Sequence, residues 1–107
     1  MRVYISVKIT GLSLFEYQDK FGRAESDLMA RGYSVINPAI TNATLPRDFT
    51  YEEYMKISMC ELSMCDAIYM LDNWKDSEGA KREYQYAYDN DYTIMFQSDE
   101  IGVDIKK

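Results

Sequence analysis

Histidine is absent from this chain, and with it goes the side chain most often used as a general base near neutral pH. Acid–base or nucleophilic work must fall to carboxylates, Tyr, Lys or Ser. The two cysteines, Cys60 and Cys65, stand five apart with no imidazole to join them. Neither a zinc site nor a thiol–imidazole pair can be assembled from familiar ligand sets, so both are expected as buried free thiols and no metal or cofactor is implied. No apolar run approaches the roughly 18 residues of a membrane span, and the N-terminus lacks the apolar stretch of a signal peptide. A cytoplasmic protein without a membrane partner is expected. Basic residues are the minority, 12 against 18 acidic for a net charge of −6, and they form no cluster. That argues against polymeric nucleic acid as a partner. A small nucleotide held by backbone N–H groups and one or two cations remains compatible with an acidic chain. No linker, low-complexity tract or repeat divides the 107 residues, so one domain spanning 1–107 is expected, large enough for a single core.

What is present reads as strands alternating with helices. Val3 to Ser6 is a short run of strand formers, followed by the loop Val7-Lys8-Ile9-Thr10-Gly11. Ser13 is placed to cap a helix whose stripe is Tyr17, Phe21, Ala24 and Leu28 and which stops at Arg31-Gly32, a basic last turn with a C′ glycine. Gly22 weakens that helix by about 1 kcal/mol relative to Ala, which predicts a close approach to a neighbour. Tyr33 to Ile36 reads as a second strand ended by Asn37-Pro38, and the aperiodic 39–49 as a long loop suited to a lid. Thr50-Tyr51-Glu52-Glu53 matches a capping box and starts a helix to about Met64, with Met55, Ser58, Met59 and Leu62 on one side. Ser58 is read most simply as a core hydroxyl bonded to the i−4 carbonyl. Asp66 precedes a third strand, Ala67 to Leu71; Tyr92 to Phe96 is a fourth, and the alternation of Ile101, Val103 and Ile105 would add a fifth at the edge.

This alternation predicts an α/β fold: a parallel sheet of four to five strands, right-handed crossovers and helices on both faces. Ligands on such sheets bind at the carboxyl ends of the strands near a topological switch point. The rule selects two loops, Val7 to Gly11 and Asp72 to Ser77, both directly before helix starts. In the stretch Asp72 to Ala87, Asp76 or Ser77 can cap a helix opening at Glu78. Ala80, Glu83 and Ala87 then share one face, and the small residues on either side of Glu83 suit close packing against the sheet. A carboxylate held there needs a partner or a task. A satisfied structural Glu, or a rotation that turns it into solvent, would leave the same pattern. The candidate pocket gathers Lys8, the hydroxyls of Ser6, Thr10 and Ser77, a helix N-terminus that favours an anion, and Glu83. Trp74 could stack on a base or serve as an interface anchor; Asp72 and Asp76 could orient a ribose hydroxyl or simply cap a turn.

Five motifs in order, YISVKITG at Tyr4 to Gly11, NP at Asn37-Pro38, EEYM at Glu52 to Met55, CDAIYML at Cys65 to Leu71 and SEGAKRE at Ser77 to Glu83, resemble the nucleoside 2-deoxyribosyltransferase-like superfamily, in particular its short bacterial and phage domains. The resemblance extends to about Phe96. It implies a flavodoxin-like (Rossmann-like) three-layer sandwich, homodimers or higher assemblies, and a pocket for a small nucleoside or nucleotide. In catalytic members a Glu on this helix attacks C1′ of the sugar and displaces the base; Glu83 is similar in position, and Tyr4 corresponds to the Tyr that orients the nucleophile. Ser77, Gly79 and Glu83 match the Ser-x-Gly-x-x-x-Glu spacing associated with 5′-monophosphates, with the Ser on the phosphate and the loop Lys8 to Gly11, Ile9 and Thr10 included, wrapping it. Two departures stand out. Val7 replaces a glycine at the ligand's approach, and Ser58 replaces an Asp that handles the leaving base. Losing that acid typically costs about 10²–10⁴ in rate.

Three expectations follow. One is a nucleotide-recognising N-glycosidase or deoxyribosyltransferase using Glu83. A second is a noncatalytic nucleotide-binding protein that sequesters a nucleotide-derived, ADP-ribose-like signal. The third is an interaction domain whose ten Tyr residues serve oligomer contacts.

Overall fold

Strand β1 (Arg2–Ser6) sets the plan of the molecule, because it lies inside the sheet and alternates two kinds of side chain. The computed structural model describes residues 1–6, 14–41, 45–46, 48–71 and 74–97. Within them β1 pairs in parallel with β2 (Ser34–Ile36) on one side and β3 (Ala67–Met70) on the other, and β3 pairs with β4 (Thr93–Phe96). The strand order is β2-β1-β3-β4. From β1 the chain moves outward to β2, then returns across β1 to β3, so the switch point lies between β1 and β3. In register, Tyr4 stands opposite Ile36 and Ile68, and Ser6 opposite Met70.

Val3 and Ile5 of β1 point to one face, where helix α1 (Leu14–Ala30) lays Phe21, Ala24 and Leu28 against them and against Ala67, Tyr69 and Leu71. Tyr4, Ile68 and Met70 point to the other. There Leu62 of α3 (Tyr51–Ser63), Cys65, and Ala80 and Ala87 of α4 (Glu78–Asp89) close the second core. Helices therefore cover both faces, and the arrangement is an α/β, flavodoxin-like three-layer fold. Each large apolar side chain withdrawn from water here contributes about 1.5–3 kcal/mol.

The helix ends follow from local chemistry. At the end of α1, the Tyr33 N–H reaches the Leu28 carbonyl and the Gly32 N–H that of Met29, with Gly32 at φ 91°. This is a Schellman motif, in which only the missing Cβ makes the left-handed residue easy. Arg31 is the C-cap rather than part of the last turn. At the start of α3 the capping box is complete: the Glu53 N–H donates to Thr50 Oγ1 and the Thr50 N–H to Glu53 Oε1.

Some expectations are corrected. The region after Asn37 opens with a short helix, α2 (Pro38–Thr41), because Pro38 is preset for a first helical position and the Asn37 carbonyl collects the N–H groups of Ile40 and Thr41. Among the described residues a Cβ added at Gly22 would meet nothing within 4 Å, so none of them explains that glycine. Cys60 is exposed on the outer side of α3; only Cys65 is buried, and burial pushes its thiol up to about 11. Among the described residues no helix is long and apolar enough to cross a membrane. The Ser13 cap and the fifth strand at 101–105 lie outside the described residues.

Gly22→Ala should therefore stabilise the protein by about 0.5–1 kcal/mol through lost chain entropy and better helix propensity, whereas Gly32→Ala should destabilise it by about 1–2 kcal/mol at its left-handed backbone. Urea denaturation of the two variants checks both signs; a destabilised Gly22→Ala protein would mean that the glycine is needed.

Candidate functional site

Helix α4 starts where Ser77, in extended backbone, accepts the Ala80 N–H on its hydroxyl at 3.1 Å. That cap fixes the phase of the helix, and the phase puts Ala80, Glu83 and Ala87 on the sheet side, all buried. Two alanines flanking the glutamate let the helix axis come close to the strands. Glu83 is only 6% exposed as a result. Facing it on β1 are Tyr4 and Ser6, two residues apart and so on the same side of the strand. The Tyr4 hydroxyl donates to Glu83 Oε2 at 2.8 Å and the Ser6 hydroxyl to Oε1 at 2.6 Å. Each carboxyl oxygen thus has its own donor, Ser6 at the short length of a charge-assisted O–H bond and Tyr4 at the ordinary one.

Burial pushes Glu83 up to about 7, against the pull of the Ser6 and Tyr4 hydroxyls; the negative charge of Glu61 adds to the rise and Arg82 opposes it. Tyr4 is raised well above the usual phenol value, first by burial and then by the neighbouring Glu83. Ser58 acts in the opposite sense, its side chain hydrogen-bonding to Tyr4. Ser58 is buried on α3 on the side that bears on Tyr4 of β1. Ser58, Tyr4, Glu83 and Ser6 form one chain of hydroxyls ending on a carboxylate.

Gly79 explains how α4 meets α3. A Cβ there would stand 3.2 Å from Met55 Sδ and 3.3 Å from the Tyr51 hydroxyl, tighter than ordinary contact, so the first turns of the two helices are in close approach. Arg82, one turn later on the same side of α4, pairs with Glu52 at 3.1 and 3.3 Å and lies 5.8 Å from the Tyr51 ring centroid. Tyr51, Arg82 and Glu61 were not singled out from the sequence as site residues. Tyr51 and Glu52 were visible only as part of a capping box, and only the pairing of α3 with α4 brings them to the α4 mouth.

The candidate residues divide accordingly. Glu83, Tyr4, Ser6 and Ser58 are brought together, with Ser77 and Gly79 at the adjoining helix mouth. Trp74 is not part of that group: its ring is stacked on Tyr84 at 4.7 Å and packed near Phe96, towards β4. Asp66 is structural, accepting the Arg2 N–H at 3.0 Å, and Asn37 is buried and donates to Glu25 of α1. Val7, Lys8, Ile9, Thr10, Gly11 and Asp72 lie outside the described residues.

A buried carboxylate steadied by two hydroxyl donors at a sheet's switch point can act as a nucleophile or as a proton carrier near neutral pH. Residues 1–96 match the family model of a domain of unknown function, DUF4406, and the chain belongs to that family. No curated protein matches it.

The pH dependence of stability has a definite sign. Between the ordinary carboxyl value of 4.5 and about 7, the folded protein retains a proton on Glu83 that the unfolded chain has lost. Stability from this group is fully present below 4.5 and declines as pH rises towards 7, by on the order of 3 kcal/mol. Denaturation curves across pH 4–8 should show that decline in the native protein and a flatter profile in Glu83→Gln.

Proposed function

We propose that this member of the DUF4406 family is a nucleoside 2-deoxyribosyltransferase-like protein that takes a (deoxy)nucleoside 5′-monophosphate and cleaves or transfers it at the N-glycosidic bond, with Glu83 as nucleophile. The observation that carries the reading is the inward carboxylate of Glu83, 6% exposed and gripped by Tyr4 and Ser6. Glu83 attacks C1′, the C1′–N bond breaks towards the base, and the glycosyl ester is then opened by water or a second base. Tyr4 and Ser6 hold the carboxylate on one axis and disperse its charge. The 5′-phosphate is assigned to the mouth of α4. There the first-turn N–H groups point outward, and Ser77, which accepts the Ala80 N–H, keeps its own proton to donate. From that mouth to Glu83 is about 8 Å along the helix, the span of a sugar phosphate. The reading carries with it a homodimeric or larger assembly.

A second reading, a noncatalytic nucleotide-binding protein, draws on Ser58: by the resemblance it takes the position of an acid for the leaving base, and a serine hydroxyl cannot protonate a base as a carboxylic acid can. Incubation with deoxynucleoside monophosphates and an assay for free base separates the two. Base release should be abolished in Glu83→Gln with nucleotide binding retained by calorimetry. Tyr4→Phe should lower kcat about ten- to hundredfold, the worth of a hydrogen bond to a charged group. Binding of nucleotide with no release of base from the native protein would support the second reading instead.

A further inference from the structure

Arg82 leaves α4 on the side of Gly79, one turn earlier, and its side chain leans back towards the helix N-terminus as helical side chains do. Its guanidinium therefore ends at the junction of α3 and α4. There Nη1 and Nη2 donate to the two carboxyl oxygens of Glu52 at 3.1 and 3.3 Å, the paired geometry of a fork on a planar acid. The Tyr51 hydroxyl accepts a further hydrogen bond from the same guanidinium. That hydroxyl stands 3.3 Å from the place of a Cβ on Gly79, and Ser77 Oγ stands 3.8 Å from the same point. One cation and two hydroxyls thus lie together at the first turn of α4, and they are open to solvent: the side chains of Arg82 and Glu52 are 44% and 67% exposed, and Tyr51 is 52% exposed.

A phosphate presents a guanidinium with the same pair of acceptor oxygens as a carboxylate, and more charge. An exposed ion pair is screened by water and salt and holds its partners weakly. Glu52 can therefore be displaced from the fork by a dianion. Without that displacement the mouth has little to offer an anion, because the acids Glu52, Glu53 and Glu78 outnumber Arg82 and Lys81, and Lys81 is paired with Glu78 at 3.3 Å.

We propose that Arg82 is the cation that takes the 5′-phosphate, and that Glu52 is its resident substitute, holding the guanidinium in place until a dianionic phosphate displaces it. The inference rests on the assignment of the phosphate to the α4 mouth given above. Tyr51 stays with the guanidinium, and its own proton, like that of Ser77, goes to a phosphate oxygen. Glu52 sets the selectivity, since an anion enters only by binding the fork better than a carboxylate does. Arg82 also acts on Glu83 as a positive charge, within electrostatic reach of the nucleophile, as the phosphate of a sugar lying at Glu83 requires.

The test measures affinity by calorimetry for the four 2′-deoxynucleoside 5′-monophosphates and their nucleosides. Glu52→Gln should tighten nucleotide binding about three- to fivefold, because the competitor for the fork is weakened. Arg82→Gln should weaken it about tenfold or more, and Arg82→Lys, which keeps the charge and loses the fork, should weaken it too. Nucleosides should not follow this pattern. Glu52→Gln and Arg82→Gln break the same ion pair, so a pair that only ties α3 to α4 would move affinity the same way in both. Glu78→Gln and Lys81→Gln make the same changes of charge on the neighbouring pair and control for the general field; their effects should be smaller. Shifts of the same sign in Glu52→Gln and Arg82→Gln, shifts as large in the control pair or with nucleosides, or no nucleotide binding by the native protein would overturn the inference. Opposite shifts without base release would keep it and favour the noncatalytic reading. Base release through Glu83 with nucleotide affinity unchanged in Arg82→Gln would remove it and leave the glycosidase reading standing.

Discussion

The bond between one carboxylate and two hydroxyls, Glu83 on α4 with Tyr4 and Ser6 on β1, is the constraint on which the remaining geometry depends. It requires β1 to lie inside the sheet, so that alternate residues of a fully covered strand can point into the α3/α4 layer. It requires Ala80 and Ala87 on either side of the glutamate, since larger side chains would lift the helix away. It requires the Ser77 cap, which sets the rotation of α4, and is helped by a glycine at position 79, where Met55 and Tyr51 would crowd a Cβ. Four separate sequence choices therefore converge on the placement of one side chain.

That placement works against stability. Burying a carboxylate is unfavourable even with two good donors, because the charged form loses its water, and the Glu61 field adds to the difficulty. An apolar residue at position 83 would pack between Ala80 and Ala87 without these penalties. A fold that keeps the acid, gives each oxygen a donor and sets it beside the switch point of a parallel sheet fits the pattern of local expense retained for function. Ser58 adds a buried hydroxyl that acts on Tyr4.

Much of this was legible in the sequence because the signals were local. The four strands, the capping box at Thr50, the Ser77 cap and the burial of Ala80, Glu83 and Ala87 all follow from periodicity and end chemistry, and the structure has them within a residue or two. What was not legible depends on pairs of elements. The partner of Ser58 is on a different strand, 54 positions earlier, and nothing in the spacing of α3 points to it. Trp74 sits beside the right loop, yet its ring goes to Tyr84 and Phe96 because β4 lies on that side. Tyr51 and Arg82 meet only when α3 and α4 pack, and Gly22, which looked like a contact point, has no neighbour for a Cβ among the described residues. Helix α2 escaped because four residues are too few to show a period.

The ionisation of one side chain bears on all of this at once. Carbon-13 NMR of the Glu83 carboxyl, followed across pH 3–9 and assigned by its loss in Glu83→Gln, should give a midpoint near 7 in the native protein, moving higher when the Tyr4 donor is removed in Tyr4→Phe. A midpoint at the ordinary value of 4.5, unchanged in Tyr4→Phe, would mean that the carboxylate faces water and that the site described for it does not exist.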